Sequence, residues 1–196
     1  MKQSDKISQL FDQSIKTITN SKKLSGEINK VIDVIVNSLK RNNKVVLFGN
    51  GGSAADAQHM AAELIVKFLI ERKSLPAVAL TTDTSILTAV GNDYGFENIF
   101  SRQCESIVSK GDIILAISTS GNSPNIIKGV QTAKERGGII IGLTGSNSGK
   151  LDSLADYILK VPGNSTPQIQ EAHRVIIHII CELIEKNLSS TNSNRP

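Results

Sequence analysis

A chain of 196 residues with 39% hydrophobic and 20% charged residues can bury one substantial core, but is short of two ordinary domains. That composition excludes the low-hydrophobicity pattern of a disordered chain. The net charge of +4 is scattered, and with 4% aromatic residues no basic stripe or stacking surface marks a nucleic-acid binder. The same weak positive charge suits a small phosphorylated metabolite.

The first residues, MKQSDKISQLFDQSIK, lack the continuous apolar run of a signal peptide, and no window reaches the length of a membrane span. Cytoplasmic location and no membrane partner are the expectation. Residues 5–20 carry Ile7, Leu10, Phe11 and Ile15 at helical spacing, and residues 25–40 carry Ile28, Ile32, Ile35 and Leu39, which predicts two leading helices. Five short apolar runs of strand length follow at 44–49, 77–81, 112–118, 139–144 and 157–161. Helical stretches at 53–70, 96–109 and 124–136 lie between them. Strands alternating with helices predict a doubly wound α/β fold, a five-stranded parallel sheet covered on both faces. A last helix over about 167–187 completes one domain, 1–188, and the polar residues 189–196 read as a disordered tail. Cys104 and Cys181 fall far apart in segments that read as buried helices, which favours packing over a disulfide or metal site and suits a reducing compartment.

In open parallel sheets, ligands sit beyond the carboxyl ends of the strands. Three loops occupy that position: GNGGS at 49–53, STSGNS at 118–123 and TGSNSG at 144–149. None matches a P-loop or a full G-x-G-x-x-G, so nucleotide binding is unsupported. In STSGNSPN, the hydroxyls of Ser118, Thr119, Ser120 and Ser123 precede Pro124 at a helix start. Together with helix N–H groups they can hold a phosphate without a lysine. A capped turn with Ser123 as N-cap accounts for one serine but not four.

The glycine-rich turn of Gly49, Asn50, Gly51, Gly52 and Ser53 runs into a helix on which His59 and Glu63, at i and i+4, share a face. In the last helix Gln170 and His178 are eight residues apart, about 80° around the axis, so they also share a face. His173 lies off that face and reads as structural. Two imidazoles, a carboxylate and an amide oxygen would form a four-ligand N/O set suited to zinc, although spacing alone leaves open whether the two helices meet.

GNGGSAADAQHMAAE, ALTTDTSILTAVGNDYGFENIFSRQ, GDIILAISTSGNSPNIIKGVQTAKERG, LTG and IQEAHRVIIHIICELIE together resemble the bacterial phosphoheptose isomerases of the sugar isomerase (SIS) domain family, over roughly residues 5–188. Any one piece, such as STSGNS, is shared by many SIS proteins; the pairs His59/Glu63 and Gln170/His178 are the more specific part. The resemblance implies His59, Glu63, Gln170 and His178 as ligands of one zinc per subunit, with Glu63 as general base and His178 as its acid partner. It implies substrate contacts from Asn50, Gly51, Gly52, Ser53, Glu63, Asn92, Asp93, Ser118, Thr119, Ser120, Ser123 and Gln170, and a homotetramer with sites at subunit boundaries. The implied reaction interconverts sedoheptulose 7-phosphate and D-glycero-D-manno-heptose 7-phosphate, at the start of heptose nucleotide and lipopolysaccharide heptose synthesis. Two departures stand out: Lys67 replaces a common arginine, and Thr166 and Pro167 precede Gln170 where some members carry an acid. A non-catalytic tetrameric SIS protein that binds the replication initiator is the alternative. Such relatives generally lack the full histidine and glutamate set.

Overall fold

The computed structural model describes residues 2–189. Two helices lead, α1 (Gln3–Ser21) and α2 (Ser25–Lys40), and five strands follow among the described residues: β1 (Val45–Gly49), β2 (Ala77–Ala79), β3 (Ile113–Ser118), β4 (Ile139–Gly145) and β5 (Tyr157–Val161). Helix α3 (Gly52–Ile65) joins β1 to β2, while α4 (Thr84–Asp93) and α5 (Ser101–Ile107) join β2 to β3. Helices α6 (Pro124–Glu135) and α7 (Lys150–Leu154) follow β3 and β4, and α8 (Thr166–Ser189) ends the described chain. The expected tail therefore loses Ser189 to α8, and from residue 190 onward it lies outside the described residues.

Strand order is β2-β1-β3-β4-β5, with every neighbouring pair parallel. Alternating side chains feed two cores. Val45, Leu47, Ile113, Leu115, Ile141 and Leu143 pack with α2, α3 and α8 on one face. Val46, Phe48, Ile114, Ala116 and Ile140 pack with residues of α4 to α7 on the other. Burial on both faces explains why the strands read as continuous apolar runs rather than alternating ones. Cys104 and Cys181 are free and buried, one in each core, and burial raises both thiols to about 12.

Two helical expectations change, and one helix is added. The stretch 53–70 is helical only to Ile65, and 96–109 divides into a 3₁₀ turn (Phe96–Asn98) and α5. Helix α4, unread in the sequence, is capped by Asp83, whose carboxylate accepts the Ile86 N–H at 2.9 Å. The order 2-1-3 places the switch point between β1 and β3, so the loops after those two strands flank one crevice.

Candidate active site

The two crevice loops are joined across the switch point. Asn50, after β1, and Asn125, in the first turn of α6, exchange reciprocal amide hydrogen bonds of 2.9 and 2.8 Å. Gly51 adopts φ +55, a conformation open to glycine, which lets the chain turn sharply into α3. A Cβ on Gly52 would lie 2.6 Å from Nε2 of Gln170, so the Gln170 amide rests against the backbone of this turn. Ser53 is buried beneath it.

In the second loop Ser118 Oγ lies 3.4 Å from Ser123 Oγ and accepts the Gly121 N–H at 3.2 Å. Ser120 is exposed, and its hydroxyl accepts the Asn122 N–H at 3.2 Å. Ser123 does occupy the N-cap position of α6, but its side chain makes no capping bond and Pro124 follows at N1. Its hydroxyl is directed toward Ser118 instead, which removes the capped-turn reading of that serine. A hollow of about 280 Å³ opens beside Thr119 and Ser120, lined also by Ser146, Asn147, Ser165 and Thr166. Its hydroxyl lining and a helix N-terminus at the adjoining loop suit a phosphorylated sugar.

Helices α3 and α8 pack side by side, and their facing residues form a ladder. Gly52 meets Gln170. Asp56 meets Arg174, with Nε and Nη2 at 2.8 and 2.6 Å from one carboxylate oxygen. His59 meets His178, Nε2 to Nε2 at 2.8 Å. Glu63 Oε1 lies 3.4 Å from His59 Nε2. The sequence had placed His59 with Glu63 and Gln170 with His178 on shared faces; the packing of α3 on α8 turns those faces toward each other.

Burial, and then the Arg174 guanidinium, push the His59 imidazole below its ordinary value, against a smaller opposing pull from Glu63. The Nε2–Nε2 contact then requires one ring to donate and the other to accept. Asp56 is buried and its carboxyl is raised, because burial outweighs the attraction of Arg174. His173 points away from the ladder into the core. It is fully buried, its Nε2 lies 3.1 Å from the Thr144 carbonyl, and burial lowers it to about 4.

Among the described residues, no group of three or more His, Cys, Asp or Glu side chains is arranged to hold a metal. The donor types nevertheless fit one. Two nitrogens bound to a tetrahedral zinc lie about 3.3 Å apart, so the rings need part by about half an ångström, and the His59–Glu63 spacing already matches that geometry. Gln170 rests one ladder step from Asp56 and two from the imidazoles.

Asn92 and Asp93 are exposed at the end of α4, bonded to each other at 2.8 Å, on the face of the sheet opposite α3 and α8. One chain does not bring them to the ladder. Lys67 pairs with Glu71 at 2.7 Å on the surface. Asp56, Arg174 and Asn125 were missed by the sequence reading; the first two had a usable signal, standing three and four residues before His59 and His178.

The SIS domain model matches residues 9–145. The phosphoheptose isomerase of Citrifermentans bemidjiense is 53% identical over 84% of this chain and 86% of its own. The solved phosphoheptose isomerase of Neisseria gonorrhoeae superposes with TM-score 0.90 at 41% identity, covering 94% of this chain and all of the other. That of Francisella tularensis gives 0.92 at 37% identity, over 95% and all of the two chains. On these matches the chain belongs to the SIS domain family, among its phosphoheptose isomerases.

Proposed function

We infer that the chain interconverts sedoheptulose 7-phosphate and D-glycero-D-manno-heptose 7-phosphate. The observation that carries this reading is the meeting of His59, Glu63 and His178 between α3 and α8, beside a hydroxyl-rich loop at the sheet's switch point. Ser118, Thr119, Ser120 and Ser123 anchor the phosphate, and remote binding energy orients the reacting carbons. Glu63 takes the C1 proton of the ketose while the C2 oxygen is protonated, giving an enediol. Loss of the O1 proton and protonation of C2 then yield the aldose, with His178 as acid partner. His59, Glu63, Gln170 and His178 would hold zinc, which when bound polarises the substrate oxygens. To serve as both ligand and base, Glu63 would need one carboxylate oxygen free for the carbon-bound proton.

Assembly as a tetramer accounts for two features. Ile7, Leu10, Phe11 and Ile15 on α1 are each about half exposed or more, an apolar stripe that a second copy would cover. Asn92 and Asp93, remote from the ladder in their own chain, would serve a site at a subunit boundary. Free buried thiols suit the cytoplasm. The initiator-binding scaffold is disfavoured because Glu63 and His178 are both retained and brought together with His59. Glu63→Gln should keep the tetramer by sedimentation equilibrium, and phosphosugar binding by calorimetry, yet lose most turnover. Near-normal turnover would remove Glu63 as the base.

A further inference from the structure

Seven residues beyond His178 on the same side of α8, Glu185 is fully buried. A carboxylate taken out of water is strongly disfavoured unless it is paired and hydrogen-bonded. Here three successive backbone N–H groups, of Phe68, Leu69 and Ile70, donate to it at 2.7, 2.8 and 3.0 Å. Arg72 Nε stands 2.9 Å away, an ion pair whose N–H is not aligned with the oxygen. Burial alone would raise the carboxyl, but the three N–H donors and the Arg72 charge outweigh it and hold the group below its ordinary value.

This anchor reaches both proton-transfer residues. Helix α3 ends at Ile65, and the amides that follow are directed to Glu185. Arg72 folds back over that end, its Nη2 donating to the Glu63 carbonyl and its Nη1 to the Leu64 carbonyl, each at 2.8 Å. The peptide that carries Glu63 is thereby held from outside its own helix. In the same strap the Phe68 ring lies 5.4 Å from the His178 ring, tilted by 34°. The His59 ring is 5.0 Å from that of His178, so two rings fix the orientation of His178.

We propose that Glu185 and Arg72 are positioning residues for Glu63 and His178, acting through the strap at 66–72 and the ring of Phe68. The proposal rests on the reading of Glu63 and His178 as the proton-transfer pair. Phe68 is half-buried, so its variants should fold, and they separate positioning from stability. Phe68→Leu is expected to lower kcat about tenfold while KM stays within about twofold, with Phe68→Tyr restoring most of the rate. The ring-proton resonances of His178, recorded without substrate, should move in Phe68→Leu and return in Phe68→Tyr. Glu185→Gln should show the same kcat loss with KM spared, together with faster amide exchange at residues 68–70. Wild-type kcat in Phe68→Leu, or unmoved His178 resonances, would overturn the proposal. Wild-type protein that turned over no heptose phosphate would sink the assigned reaction instead, and the resonances would still decide whether Phe68 orients the imidazole.

Discussion

Gly52→Ala isolates the contribution of Gln170 without touching an imidazole or a carboxylate. The added Cβ would lie 2.6, 2.8 and 2.9 Å from Nε2, Oε1 and Cδ of Gln170, closer than any stable contact. Gly52 is the first residue of α3 and has no positive φ, so alanine fits its backbone. Alanine is preferred to glycine by up to about 1 kcal/mol inside a helix and by less at its end, so stability should hold or rise slightly. The clash is relieved by the flexible partner, and the Gln170 amide must leave the turn. If that amide contacts the metal or a substrate oxygen, losing one charge-assisted hydrogen bond costs about 1.5–3 kcal/mol. That corresponds to roughly 10- to 150-fold in kcat/KM. The assay is kcat/KM for Gly52→Ala, Gln170→Ala and the double variant, with thermal melts alongside. Because both changes remove one contact, the double variant should match Gln170→Ala rather than show the product of the two losses. Wild-type kcat/KM in Gly52→Ala, or full additivity, would refute the reasoning.

Ser120→Ala removes an exposed loop hydroxyl and should weaken sugar-phosphate affinity at unchanged melting temperature; equal affinity by calorimetry would count against the phosphate role. His178→Ala should lower both bound metal and turnover, whereas His173→Ala empties a core position and should cost about 3 kcal/mol of stability with little change in metal content. His173 also gives a pH signature. Its folded value of about 4 lies below the ordinary imidazole value of about 6.5, so its contribution is complete above pH 6.5. As pH falls from 6.5 to 4, roughly 3 kcal/mol should be lost. Melts of His173→Leu should decline less steeply than wild type across that window.

The strands were legible because residues buried on both faces leave uninterrupted apolar runs, and KVVLFG and DIILAIS became β1 and β3 to within one residue. The end of α3 was not legible. VKFLI continues the helical apolar pattern, but Glu185, more than a hundred residues later, receives the amides of residues 68–70, and that tertiary competition has no local signal. Helix α4 had its cap at Asp83, yet only Val90 is buried along it, so its apolar period is weak. Within the site, the i to i+4 spacing of His59 and Glu63 was readable as a shared face. That Gln170 and His178 would lie opposite them depended on α8 packing against α3. Asn92 and Asp93 came only from the family resemblance, and no spacing in one chain connects them to the ladder.

The central claim is that the residues between α3 and α8 isomerise a heptose phosphate with zinc bound. Its most direct test is proton NMR of sedoheptulose 7-phosphate incubated with purified, zinc-loaded protein, with and without chelator. The account predicts resonances of the aldose 7-phosphate, abolished by chelation and restored when zinc is returned. No aldose from the zinc-loaded protein would contradict the assigned reaction, and equal conversion in the presence of chelator would contradict the role given to the metal.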